Sequence, residues 1–155
     1  MSDSLTNHLN SASYIVQHLS TDPQSRLNGF DEWIAFLSTP FKRLGISGWT
    51  RTGCSASGYG KPVRGAAWST DSFFTIDVEL LSLRVVSHSD GAEYLQSGTR
   101  RYLRLEVEPG TSAHGTCERD RPQAGELIGF KGEVLIDRDG PFYEVHPSNV
   151  WRYAP

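Results

Sequence analysis

Apolar residues in the first part of the chain fall at Leu5, Leu9, Ala12, Ile15, Val16 and Leu19. Steps of three and four lay them along one stripe of a helix. Thr21-Asp22-Pro23 stops that helix. Asp31 then N-caps a short amphipathic helix carrying Trp33, Ile34, Phe36 and Leu37. Ser38-Thr39-Pro40 breaks it, and Phe41, Leu44 and Ile46 add a turn. Residues 1–46 are therefore predicted to be helical. Residues 53–65 hold glycines at 53, 58, 60 and 65 and a proline at 62, which predicts a loop. The period then becomes two. Phe74, Ile76, Val78 and Leu80 alternate with Thr75, Asp77 and Glu79, and the phase flips at Leu80-Leu81 before Leu83 and Val85. A flip inside one long strand is the mark of a β-bulge. Leu103, Leu105 and Val107 predict a second strand, ended by Pro109-Gly110 and followed by a polar loop to Ala124. Ile128, Phe130, Val134 and Ile136 predict a third strand or a pair, with Gly129 and Gly132 inside. Asp139-Gly140 is a turn signal. Phe142 to Val145 is the closing strand, with Pro147 ending it.

Helices followed by strands give an α+β fold class: N-terminal helices followed by a small antiparallel OB-like β-barrel. The expected layout is a single domain, 1–155, with 1–46 helical and 66–151 the barrel. Its core is expected to hold Phe74, Ile76, Val78, Leu103, Leu105, Val107, Ile128, Phe130, Val134 and Ile136. The run from Gly125 to Asp137 (GELIGFKGEVLID) resembles the mid-barrel strands of an OB-fold. That resemblance covers about the last half of the chain. It implies a helix between the third and fourth strands, for which the polar loop before Ala124 leaves no room, so a related small barrel or open sheet remains an alternative. It also implies a binding face for oligonucleotides, oligosaccharides or protein.

The 155 residues are 37% hydrophobic and 21% charged, which excludes a membrane protein, a collagen and a disordered tail. Net charge is −3, which argues against coating nucleic acid by bulk charge but leaves room for a local basic site. The start of the chain carries no secretory pattern, and Cys54 and Cys117 are expected to be reduced thiols, which together predict a cytoplasmic protein. Of the 15 basic residues only Lys42, Lys61 and Lys131 are lysines.

Three phosphate or nucleophile motifs fail in the glycine-rich stretch. Gly53 and Gly58 have Walker spacing, but Tyr59 stands where the lysine belongs, and Lys61 precedes Pro62. After Gly58-Tyr59-Gly60 no glycine follows at the dinucleotide spacing, and Ser55 lacks the second flanking glycine of a nucleophile elbow. What remains is a mobile surface loop, or a binding loop that uses Tyr59, Lys61 and Arg64.

Three constellations survive. Glu144 and His146 share one face of a strand, with Asp137 and Asp139 across the turn. A carboxylate beside an imidazole suits a general base or a metal ligand; the plain alternative is a structural pair. His114 and Cys117, with distant Cys54 and His146, are the residues that zinc would need. No cofactor is expected otherwise. A basic and aromatic set comprises Arg84, Arg100, Arg101, Tyr102 and Arg104, with Arg119 and Arg121 in the following loop. Cations on phosphates and rings under bases hold single-stranded nucleic acid. Glu106 and Glu108 continue the Arg104 face, so an ordinary ion-paired surface is the competing reading. The four tryptophans are expected in packing roles, with Trp49 or Trp68 a ligand platform if left exposed. The favoured function is a non-catalytic binding module for single-stranded nucleic acid or a protein partner. The alternatives are a small metal-dependent or His/Glu-based hydrolase, and a regulatory protein docking through its N-terminal helix.

Overall fold

The computed structural model describes residues 10–21, 49–68, 71–96, 100–136 and 143–153. The expected helices between Asp31 and Ile46, the start of the first helix at Leu5 and Leu9, and Asp137, Asp139 and Phe142 lie outside the described residues. The described chain is mostly sheet. Helix α1, Ala12–Gln17, is capped by Ser11, whose Oγ accepts from Tyr14 N at 3.2 Å. It buries Ala12, Tyr14 and Ile15. Leu19 is buried just beyond it, and Tyr102 N donates to Ser20 O at 2.8 Å.

Seven strands form one sheet: β1 (Thr50–Pro62), β2 (Ala67–Trp68), β3 (Phe74–Ser87), β4 (Glu93–Leu95), β5 (Tyr102–Val107), β6 (Ile128–Ile136) and β7 (Tyr143–Arg152). Hydrogen-bonded neighbours run β1–β6–β7–β5–β3, and β3 pairs again with β1, so the order returns to its start. β2 and β4 are short additions to β3. All ten residues expected in the core are buried, joined by Cys54, Ala56, Leu80, Leu83, Val85, Tyr143, Val145 and Val150.

The structure departs from the sequence reading in five places. The glycine-rich stretch is not a loop but the long strand β1, so the sheet begins at Thr50 rather than near residue 66. Its inward residues, Thr52, Cys54 and Ala56, are too small to register as an apolar alternation. Small residues are required because β3 crosses close by: a Cβ on Gly58 would strike Ser82 O, and one on Gly60 would strike Glu79 O. Gly53, at φ +76°, absorbs the register shift against β6 between Arg51 and Cys54. Second, the polar loop after Pro109-Gly110 contains helix α2, Ser112–Arg119. Thr111 caps it, its Oγ1 accepting from His114 N at 3.1 Å. Only Ala113, His114 and Cys117 are buried from it, which is why no apolar stripe announces it in the sequence.

Third, β6, the single strand of the two expected forms, carries a register shift against β7 between Lys131 and Gly132 that the pattern did not show. Fourth, β7 runs on through Pro147 to Arg152. Pro147 faces Gly132 at that shift, the one place where a strand interior tolerates a missing N–H. Fifth, the strands are not all antiparallel: β5 and β7 run parallel, with Arg104 beside Glu144 and Leu105 beside Val145. The phase flip of β3 is a bulge, as read: Tyr59 pairs Ser82 and Gly60 pairs Leu80, leaving Leu81 as the exposed extra residue. With α2 between β5 and β6, the third and fourth strands of the returning five, and β5 parallel to β7, the arrangement is OB-like. No helix of the described residues is long and apolar enough to cross a membrane.

Candidate functional site

Alternation turns the side chains between the core residues of each strand onto the outer surface. Two outer faces result. On the first, across β3, β5 and β7, Asp77 stands beside Arg104, and Arg104 beside Glu144. Arg104 grips Asp77 with both forks, Nε to Oδ1 at 2.7 Å and Nη2 to Oδ2 at 3.0 Å. Arg64 Nη2 adds a bond to the same Oδ2 at 2.9 Å. Burial alone would raise the Asp77 carboxyl, but these two guanidiniums hold it below the usual carboxylate range. Glu144 is 0% exposed. Its Oε1 lies 2.9 Å from His146 Nε2, while His146 Nδ1 lies 2.6 Å from Glu108 Oε1. The rings of Trp49 and Phe73 pack edge-on against His146, with centroids 4.8 and 6.3 Å away. Burial pushes the imidazole pKa down, but hydrogen bonds from both nitrogens to Glu144 and Glu108 outweigh it and raise the pKa. In its protonated form the ring donates at both nitrogens and has no lone pair left to bind a metal. The pair is therefore well placed as a structural clasp joining β7 to the end of β5.

The other residues singled out in the sequence are dispersed. Arg100 Nε is 3.4 Å from Glu79 Oε1, and Arg101 Nη1 donates to Leu19 O at 2.9 Å. Tyr102 shares the outer face with Arg104, beside Glu79. Cys54 and Cys117 are buried thiols. Burial raises both, Cys117 to about 11. His114 sits on α2 one turn from Cys117, with Nδ1 3.1 Å from Glu118 and Nε2 2.7 Å from Ser72 O. The structure does not bring Cys54, His114, Cys117 and His146 together: among the described residues no group of three or more such side chains is placed to hold a metal. Two tryptophans expected in packing roles are exposed. Trp68 lies on the two-residue edge strand β2, edge-on to Phe74 at 4.7 Å, and Arg121 caps that same Phe74 ring at 5.3 Å.

The second outer face spans β1, β6 and β7. One rung sets Tyr59, Gly129 and Trp151 side by side; the next sets Ser57, Lys131 and Asn149 side by side. Arg84 of β3 joins the second rung opposite Ser57. Tyr59, Trp151 and Tyr153 are 39%, 37% and 41% exposed. Tyr153 links the three rings: Tyr59 meets it at 5.8 Å and Trp151 meets it at 6.4 Å, both edge-on. Beside this cluster Ser55, Ser57, Arg84, Val86, Lys131 and Ser148 line an open hollow of about 290 Å³. Ser55 Oγ is bonded to His88 Nε2 at its rim. Arg84 Nε reaches Glu93 at 2.5 Å, an exposed pair that solvent screens. Lys61 and Lys131 are exposed and have no acidic partner among the described residues. Of the sequence candidates, Tyr59, Lys61 and Arg84 meet on this face, while Arg64 and Arg104 converge on Asp77. Trp151, Tyr153, Gly129 and Lys131 were not expected there. The available signal was the glycine inside the β6 pattern, which in a strand marks a close approach.

No protein-family model and no curated protein matches the chain. Among solved structures it is similar to the second single-stranded DNA binding protein of Mycobacterium smegmatis, at TM-score 0.45 and 8% identity over 63% of this chain and 86% of that one. It is also similar to the N-terminal domain of the PriB protein of Thermoanaerobacter tencongensis, at TM-score 0.38 and 14% identity over 65% of this chain and 97% of that one. A third is a deletion mutant of the single-stranded DNA binding protein of Thermus aquaticus, at TM-score 0.39 and 12% identity over 70% of this chain and 53% of that one.

Proposed function

We propose that the five returning strands close into an OB barrel and that the chain, a single domain, binds single-stranded nucleic acid on the outer face of β1, β6 and β7. One observation carries this reading: three exposed aromatic rings linked through Tyr153 share a sheet face with two lysines that lack acidic partners among the described residues. Exposed aromatic faces stack unpaired bases, and free ammonium groups replace the counterions of a phosphate backbone. Rungs on one strand face are about 6.8 Å apart, two residues of strand rise. The strand would lay bases on the rings and carry its backbone over Lys131 in the adjacent hollow. The Arg104 face is a poor competitor, because its guanidinium is already held by Asp77.

Fluorescence anisotropy of a labelled oligo-dT at low and moderate salt tests the proposal. Binding should weaken with salt, with a log–log slope near −1.4 if Lys61 and Lys131 each neutralise one phosphate, at about 0.7 per contact. No binding to any single-stranded oligonucleotide at low salt overturns it and makes a protein partner the better reading of the patch.

A further inference from the structure

We infer that Gly129 is a positioning residue that turns the Trp151 indole into a nucleobase subsite; the inference rests on the nucleic-acid reading above. Gly129 lies in the middle of the rung, paired to Tyr59 on one side and to Trp151 on the other. The Trp151 ring leans over it. A Cβ on Gly129 would sit 2.6 Å from Trp151 Cζ2, and nearer still to Cε2 and Nε1. No L side chain fits beneath the ring in this position. The absent side chain lets the indole lie down on β6, toward Tyr59 and Tyr153, instead of standing away from the sheet. Trp151 keeps 37% of its surface in solvent while one side rests on backbone. A ring backed by sheet and flanked by Tyr153 loses little freedom when a base stacks on its open side. The obstacle to a larger residue at 129 is the side chain of Trp151, not backbone, so the protein can accommodate alanine by displacing the indole alone.

The test uses a labelled oligo-dT and the same oligomer with one central abasic site. The wild type should prefer the intact oligomer, by about five- to a hundredfold for one stacked base. Gly129→Ala should lose most of that preference while keeping its affinity for the abasic oligomer and its salt slope. Trp151→Ala should lose it equally. In the double variant the added methyl meets no ring, so it should match Trp151→Ala in affinity and melting temperature; such non-additivity is the signature of one contact. If Gly129→Ala does not fold, the comparison of Trp151→Ala with the double variant still decides. Equality supports the inference, and a double variant that is weaker or less stable overturns it. Wild-type base preference retained in Gly129→Ala or in Trp151→Ala also overturns it. Failure of the wild type to bind either oligomer overturns instead the nucleic-acid reading itself.

Discussion

On the outer face of β3, β5 and β7 the cations meet carboxylates: Arg104 and Arg64 on Asp77, Arg100 near Glu79, His146 between Glu144 and Glu108. On the outer face of β1, β6 and β7, Lys61 and Lys131 meet none among the described residues and stand among exposed rings. Both faces contain basic and aromatic residues. What separates them is register. β3 presents Asp77 directly across from Arg104, and the parallel strand β7 presents Glu144 on its other side, so the guanidinium is neutralised before any ligand arrives. β1 presents Ser57 across from Lys131, and β7 presents Asn149. A basic residue is free to bind phosphate only where its cross-strand neighbours leave it free.

The comparison breaks most visibly at Arg104. Replacing it with alanine leaves Asp77 with Arg64 alone and Glu144 with His146 alone in a largely buried setting, at a cost of about 3 kcal/mol, the low end for breaking a buried ion pair. Urea unfolding should report that loss, while oligo-dT affinity of the folded variant stays at the wild-type value. An unchanged midpoint would mean that the network is not structural. On the other face, Trp151→Ala should show the converse: about 1–3 kcal/mol of binding lost in anisotropy titrations and little change in the urea midpoint. Equal losses of stability in both variants would erase the distinction between the faces.

The division between these faces was only half legible in the sequence. Period-two alternation located β3, β5 and the ten core residues, because large apolar side chains announce which face is buried. The bulge at Leu81 was legible for the same reason. β1 was not. Its inward positions are Thr52, Cys54 and Ala56, and its close crossing with β3 demands glycine, so composition spoke for a loop while tertiary pairing made a strand. Helix α2 was hidden because its buried side holds Ala113, His114 and Cys117 rather than a leucine stripe. The site fell to the same blindness. Tyr59 and Lys61 were visible as residues of a binding loop, but Trp151 lies on, and Tyr153 just beyond, a strand expected to end at Pro147. Within its own strand Arg104 has Tyr102 as a same-face neighbour. The neutralising Asp77 and Glu144 come from strands that only the fold brings alongside.

The clasp at His146 sharpens the structural half of the comparison. Its folded-state pKa is raised above the unfolded value near 6.5. The stabilisation it contributes is therefore fully present below that unfolded value and is lost as pH rises through the folded pKa. Asp77 has the opposite sense: its carboxyl is lowered, so its contribution is present above the unfolded value near 3.9 and is lost as pH falls through the folded pKa. Following the His146 ring protons by NMR should give a raised wild-type pKa that drops in Glu144→Gln. A wild-type value below the unfolded one would put a neutral imidazole on β7 and reopen the general-base reading of Glu144 and His146.

The smallest expected effect separates the cations one by one. Lys131 lines the hollow with no acidic partner among the described residues, whereas Arg64 is tied to Asp77 at 2.9 Å. If Lys131 replaces one counterion of a bound single strand, Lys131→Ala should reduce the magnitude of the salt slope by about 0.7. Lys61→Ala should do the same if the strand extends past Tyr59, the next outward residue on β1. Arg64→Ala should leave the slope alone, because its charge is already answered by a carboxylate that would lose a partner when it leaves. Stability readings run the other way, with Arg64→Ala costing more than either lysine variant. The decisive measurement is the slope of log Kd against log salt for the three variants with one oligo-dT. Equal slopes throughout would mean that phosphate is held elsewhere. A slope lost in Arg64→Ala but kept in Lys131→Ala would move the nucleic-acid path to the face that includes Asp77.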